Sequence, residues 1–185
     1  MRLVVFLALI FISAVSAGVY GIFYDQISYS VSPEFFEKLR FPSESDGYRA
    51  STTLHPRLKA AWAGWSNTWP VGLLLGGILS LAGLMHHSIR RMFSVTLISF
   101  FLTLGISFIF ALIGLYMGDT ALGSDDVYIN LPPDLKDPVH FKMVQNMQNF
   151  SYVGALVGIF VGLFYHLYHR NKDRKIRLSM EEGVA

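Results

Sequence analysis

Residues 3–24 read LVVFLALIFISAVSAGVYGIFY, a run of 22 residues without a charged side chain. An α-helix needs about 20 apolar residues to cross the hydrocarbon core of a bilayer. Three further uncharged stretches occur at residues 60–85, 92–118 and 143–168. We therefore predict an all-α membrane protein, a four-transmembrane-helix bundle in a single domain, residues 1–185. Its loops would span residues 25–59 and 119–142, and its tail residues 169–185.

The composition excludes several classes of protein. Hydrophobic residues make up 52% of the chain and charged residues 15%, below the roughly 25% typical of soluble domains. The net charge of +2, with no broad basic stripe, argues against a nucleic-acid partner. The absence of cysteine excludes disulfides, thiolate metal sites and thiol catalysis. No catalytic motif is present, so we expect a non-enzymatic protein without a cofactor.

The first apolar run has two interpretations. Arg2 followed by Leu3–Ser13 is typical of a signal peptide, which would be cleaved after Ala17. The run nevertheless continues to Tyr24, beyond the 7–15 residues of a signal-peptide core. A retained helix is favoured, and the cleaved signal peptide stays open as the alternative.

Basic residues predict the orientation of the chain. The short loop between the second and third stretches holds Arg90 and Arg91, and the residues after 169 are strongly basic. Basic residues close to span ends favour the cytoplasmic side. We therefore expect both termini in the cytoplasm.

Small residues recur four positions apart in three of the predicted helices. Without a hydrophobic force between helices in lipid, such stripes allow close backbone approach. Packing within one bundle is favoured, and an oligomerisation face is the alternative. The packing glycines are Gly72, Gly76, Gly154, Gly158 and Gly162.

The loops on the outer side carry local structural signals. Residues 27–31 and 127–131 alternate apolar and polar side chains, which predicts two short strands. Ser32-Pro33-Glu34 and Asp137-Pro138 are typical helix starts. We expect a small extracytoplasmic cap made of short strands and a short amphipathic helix.

Polar residues cluster where the first and fourth helices reach this cap. Polar groups at membrane depth are costly and often functional. Hydrogen bonding that anchors the cap is favoured, and a ligand or ion site and a partner contact are the alternatives. The cluster comprises Asp25, Gln26, Gln148, Asn149, Ser151 and Tyr152.

Four histidines lie at the opposite boundary: His86, His87, His166 and His169. The second and fourth helices could bring them together around a metal ion or haem. Interfacial side chains with their polar tips among the headgroups are the favoured interpretation.

Three segments together carry a resemblance to a known group of proteins. Tyr24–Phe36, Leu58–Gly72 and Met147–Gly154 resemble motifs of a family of uncharacterised bacterial multi-pass membrane proteins with a signal-peptide-like start. The resemblance implies a bacterial inner (plasma) membrane location and brings no activity. It implies histidine at positions 24 and 148, where this chain has Tyr24 and Gln148, so a paired-histidine metal site is not expected there.

We expect the protein to act by self-association or as an accessory subunit of a larger membrane complex, with the lipid bilayer as its other partner. Two alternatives stay open. The first is a small transporter or channel with an outer polar vestibule. The second is a haem- or metal-binding protein that uses the histidines at the inner face.

Overall fold

The computed structural model describes residues 1–41, 54–120, 131–132 and 134–182, and within them it contains helices and no strand. This confirms the all-α prediction for these residues. The third to fifth helices are α3 Pro56–Gly83, α4 Ile89–Thr120 and α5 Pro138–Glu182. They follow α1 Arg2–Val31 and a short α2 Pro33–Phe35, which continues as a π-helical turn, Phe36–Arg40.

Among the described residues, three helices are long and apolar enough to cross a membrane: Arg2–Val31, Ile89–Gly118 and Pro138–Lys175. The predicted number of spans was four. The helix that does not meet the same standard is α3, which is 28 residues long. Its first turns include Arg57 and Lys59, and a polar Ser66-Asn67-Thr68 run interrupts its apolar residues.

The predicted strand at residues 27–31 is wrong, because these residues form the last turns of α1. The alternating serines are accommodated by bonds within the helix. Ser28 Oγ donates to the Tyr24 carbonyl at 3.1 Å, and Ser30 Oγ donates to the Gln26 carbonyl at 2.9 Å. Residues 127–130 of the other predicted strand lie outside the described residues.

Both predicted helix starts are confirmed. Ser32 Oγ accepts a hydrogen bond from the Phe35 N–H at 3.3 Å, as an N-cap residue does. Asp137 Oδ1 accepts one from the His140 N–H at 3.1 Å, and α5 begins at Pro138. The α5 helix continues without interruption to Glu182, so residues 169–182 of the predicted tail are helical.

The long helices form two tightly packed pairs, α1 with α3 and α4 with α5, with fewer contacts between the pairs. Glycines permit this approach. A Cβ on Gly72 would lie 2.7 Å from the Ser13 carbonyl oxygen, and a Cβ on Gly158 would lie 2.8 Å from Thr103 Cα. Gly76, Gly154 and Gly162 likewise meet neighbouring helices of the same chain. These five glycines therefore pack inside the bundle.

A ladder of hydroxyl groups joins α4 to α5. Ser99, Thr103 and Ser107 are four residues apart and so share one face of α4. Their hydroxyls donate to backbone carbonyls of α5, with Thr103 Oγ1 at 3.0 Å from the Gly158 oxygen and Ser107 Oγ at 2.9 Å from the Ser151 oxygen. The ladder fixes the register of the two helices.

We expect a Thr103→Val substitution to lower the free energy of unfolding by about 1 kcal/mol, because hydrogen bonds between membrane helices contribute about 0.6–1.7 kcal/mol. The midpoint of SDS-induced unfolding in mixed micelles measures the effect. Ser94→Ala, at an exposed position of α4, is the control and should leave the midpoint unchanged. Equal midpoints for wild type and Thr103→Val would show that the ladder contributes nothing.

Candidate functional site

A cavity of about 70 Å³ lies between the two helix pairs. We call it the Asp25 cavity, and we call the end of the bundle at which Asp25 lies the Asp25 end. At that end it is bounded by Asp25, Arg40 and Gln148, and its deep end is bounded by Leu75 and Thr103. A cavity volume of about 10–15 Å³ holds one water molecule, so this cavity has room for about five waters or a small ligand.

A chain of hydrogen bonds crosses the Asp25 end of the cavity. Asp25, only 3% exposed, accepts a bond at Oδ1 from Gln148 Nε2 at 3.3 Å. Gln148 Oε1 in turn accepts from Arg40 Nη2 at 2.8 Å. Within the described residues Asp25 makes this one hydrogen bond and no salt bridge. A carboxylate can accept about four, so Asp25 retains acceptor capacity towards the cavity.

Contacts on both sides fix the position of Asp25. One turn earlier, the backbones of Gly21 and Gly64 meet, which brings α3 against α1. The neighbouring Tyr24 donates its hydroxyl to the Met147 carbonyl of α5 at 2.9 Å. Asp25 is therefore held between α3 and α5 rather than at the lipid-facing surface.

Arg40 reaches the cavity because α2 and its π-helical turn are docked on the bundle. Phe35 and Phe36 are buried beside Phe141 of α5, so this segment is amphipathic as predicted. At the surface, the Glu34 carboxylate accepts hydrogen bonds from the N–H groups of Lys136, at 2.9 Å, and Asp137, at 3.1 Å.

The docking of α2 should depend on pH. Hydrogen bonds from the Lys136 backbone, and secondarily from that of Asp137, lower the pKa of Glu34 below its ordinary 4.5. Its contribution is therefore fully present above pH 4.5 and is lost as the pH falls through the lowered pKa. We expect a spin label on a Leu39→Cys variant to become more mobile as the pH falls below 4.5. With Glu34→Gln added, the mobility should no longer change with pH, and a pH response that persists would contradict this role.

The structure brings together four of the six residues predicted as a polar cluster: Asp25, Gln148, Ser151 and Tyr152 all line the cavity. The other two do not. Gln26 donates to the Arg57 carbonyl at 2.8 Å, and Asn149 is exposed outside the cavity. Sequence reasoning missed the cavity residues Arg40, Tyr20, Asn67, Thr68 and Ser107. The four-residue spacing of Ser99, Thr103 and Ser107 was the available signal for Ser107.

The floor of the cavity is closed by an apolar layer. Leu79 and Phe100 are fully buried there, and Leu75, Ile159 and Leu163 pack with them. Ser99 of α4 lies at the same level, and its buried hydroxyl donates to the Gly162 carbonyl at 3.4 Å. The cavity therefore lies on the Asp25 side of this apolar layer.

At the other end of the bundle, which we call the His86 end, the structure brings His86 and His166 together. Both are buried, and His86 Nε2 lies 3.2 Å from His166 Nδ1, so one nitrogen donates to the other. Burial lowers the pKa of His86, which favours a neutral ring. The His169 and Tyr165 rings are in tilted contact, with their centroids 4.4 Å apart, and His87 is exposed.

This arrangement does not favour the predicted metal or haem site. The described part of the chain contains no group of three side chains that could hold a metal ion, whereas zinc sites use three or four protein ligands. Haem held between two histidines needs space between their rings, and these two rings are in direct contact. The pair instead joins the α3–α4 connection to α5.

Comparisons of the chain with protein-family models, with curated proteins and with solved structures find no match. The resemblance of Tyr24–Phe36 to a bacterial membrane protein family therefore stays a prediction. The geometry of the Asp25 cavity is the remaining basis for inferring a function.

Proposed function

We propose that this protein is an integral membrane protein of four spanning helices that binds a small ligand in the Asp25 cavity. The ligand would carry an ammonium or another hydrogen-bond donor for Asp25. The outward face of α3 supports a fourth span, because Leu73, Leu74, Ile78 and Leu81 are exposed to the surroundings of the bundle. A helix that is apolar on its outer face suits lipid.

The charges support an orientation. Arg90, Arg91 and Arg170 lie at the His86 end, and Arg2 reaches the His87 carbonyl there. The positive-inside rule favours this end as cytoplasmic, with both termini. Gln148 and His166 are 18 residues apart on α5, or about 27 Å along a helix. That is close to the roughly 30 Å hydrocarbon core of a bilayer, so the cavity would open at the outer surface of a bacterial inner membrane.

One observation carries the ligand proposal: a buried carboxyl group faces a cavity and makes a single hydrogen bond. Burial of a carboxylate without partners costs several kcal/mol. A ligand that donates a hydrogen bond to Asp25 would reduce that cost. Arg40 could donate a hydrogen bond to an acceptor on the same ligand. The chain Arg40–Gln148–Asp25 thus offers both kinds of partner at one opening.

The rival functions have weaker support. An oligomerisation face is the alternative interpretation of the small-residue stripes, and the five glycines are occupied by contacts within the chain. An open channel would need a continuous path, and the layer around Leu79 and Phe100 closes the floor. A transporter would have to open that layer in a second conformation. Binding is the step that the geometry supports.

Cysteine accessibility tests the proposal, since the chain has no cysteine of its own. We expect a Ser107→Cys variant in sealed vesicles to react with a small thiol reagent, 2-aminoethyl methanethiosulfonate, added at the Asp25 side. A Leu79→Cys variant, in the floor, should react only after SDS is added. No reaction of Ser107→Cys, or equal reaction of both variants, would contradict a cavity that is accessible from the Asp25 end and closed towards the His86 end.

A further inference from the structure

A second pocket, at the His86 end, has the chemistry of an anion site. Its volume is about 540 Å³, and it lies between the α3–α4 connection and the part of α5 beyond Arg170. Arg91, Arg170 and Arg174 line it, against one carboxylate, Asp173. Asp173 pairs with Arg91 at 3.2 Å, so the other two guanidinium groups have no carboxylate partner among the described residues.

The backbone adds to this charge. Ser88, which lines the pocket, directly precedes α4, so the first N–H groups of that 32-residue helix lie beside the pocket. The N-terminus of a long helix attracts anions through these free N–H groups and the helix dipole.

A buried histidine provides independent evidence. His86 lines the pocket, is 3% exposed, and has no hydrogen-bond partner for Nδ1 in the part of the chain that the structure describes. If His166 Nδ1–H donates to His86 Nε2, the proton of His86 is placed on Nδ1. A buried N–H without an acceptor is costly, and an anionic oxygen would satisfy it.

We propose that this pocket binds the phosphate group of an anionic phospholipid. Arginine suits phosphate because its planar fork can donate two parallel hydrogen bonds. A lipid is favoured over a free anion because exposed apolar side chains lie next to the pocket. Leu84 directly precedes the lining residue Met85, and Leu81 lies one turn earlier; both are exposed and can accompany the acyl chains. The proposal is independent of the ligand in the Asp25 cavity.

Native mass spectrometry of the full-length protein in mild detergent tests the proposal by titration with phosphatidylglycerol. Phosphatidylcholine with the same acyl chains is the neutral reference lipid. We expect tighter binding of phosphatidylglycerol, and about tenfold weaker binding in Arg174→Gln, since a hydrogen bond to a charged group contributes at least about 1.5 kcal/mol. Lys172→Gln removes the same charge from an exposed position of α5 outside the pocket and should change the affinity by less than about twofold.

Three outcomes would overturn the proposal. Equal losses in Arg174→Gln and Lys172→Gln would indicate diffuse attraction to the basic helix. Equal affinities for the two lipids would show no selectivity for an anionic headgroup. Complete displacement of the lipid by about 10 mM inorganic phosphate would identify a site for a free anion instead.

Discussion

Gly64→Ala is expected to lower the stability of the bundle by at least about 1–3 kcal/mol, the usual cost of overpacking. A Cβ at this position would collide with the carbonyl group of Gly21 on α1. A backbone atom cannot rotate away as a side chain can, so α1 and α3 would have to separate. Because Asp25 lies one turn beyond Gly21, the shape of the cavity would change as well.

The matched control is Gly77→Ala in the same helix, where an added Cβ meets nothing within 4 Å. Alanine is favoured over glycine in a helix by about 1 kcal/mol, so this variant should be neutral or slightly more stable than wild type. The midpoint of SDS-induced unfolding compares the two variants. Equal midpoints would mean that α1 and α3 do not approach each other at Gly21 and Gly64.

Asp25→Asn is expected to change which reagents enter the cavity. A charge about 10 Å away contributes about 1.7 kcal/mol at an effective dielectric constant of about 20, which is more than tenfold in a rate. On a Ser107→Cys background, the ratio of reaction rates with 2-aminoethyl and 2-sulfonatoethyl methanethiosulfonate reports this field. We expect Asp25→Asn to lower the ratio by more than about a hundredfold, because the cationic reagent loses its attraction and the anionic reagent its repulsion.

Arg40 carries a positive charge, so its removal should change the ratio of reaction rates in the opposite direction. Arg40→Gln should raise the same ratio, because the substitution removes a positive charge from the Asp25 end of the cavity. Lys38→Gln removes a charge from the same π-helical turn at an exposed position that does not line the cavity, and should have little effect. Unchanged ratios in both Asp25→Asn and Arg40→Gln would place the two side chains away from the path of the reagents.

The sequence predicted the helical class, both N-cap helix starts and most of the polar cluster. These features depend on local patterns such as apolar runs and Ser-Pro or Asp-Pro pairs. The prediction of a strand at residues 27–31 is wrong, because alternation over five residues also suits a helix. The serine hydroxyls of this helix donate hydrogen bonds to carbonyls four residues earlier. Hydropathy does not identify α3 as a membrane span, because its Ser66-Asn67-Thr68 run is polar. The Thr68 hydroxyl nevertheless donates a hydrogen bond to the Ala17 carbonyl inside the bundle.

Arg40 could not be predicted from sequence because its position depends on the docking of α2 against Phe141, about 100 residues away along the chain. No local pattern separates Arg40 from Lys38, which is exposed in the same turn. For His86 and His166 the sequence favours interfacial side chains, with a metal or haem ligand set as the alternative, whereas the structure buries both rings. Sequence could place the two rings on adjacent helices, but only the packing shows that they bond to each other.

Native mass spectrometry of the protein purified from its own membranes in mild detergent tests the central claim most directly. The account predicts a species that carries a small additional mass, which Asp25→Leu loses and the exposed-site variant Asn149→Leu retains. The contradicting result is a spectrum with no small-molecule mass, identical for wild type and Asp25→Leu, in which the chain appears as a homo-oligomer or bound to a second protein. That result would support self-association or an accessory-subunit role.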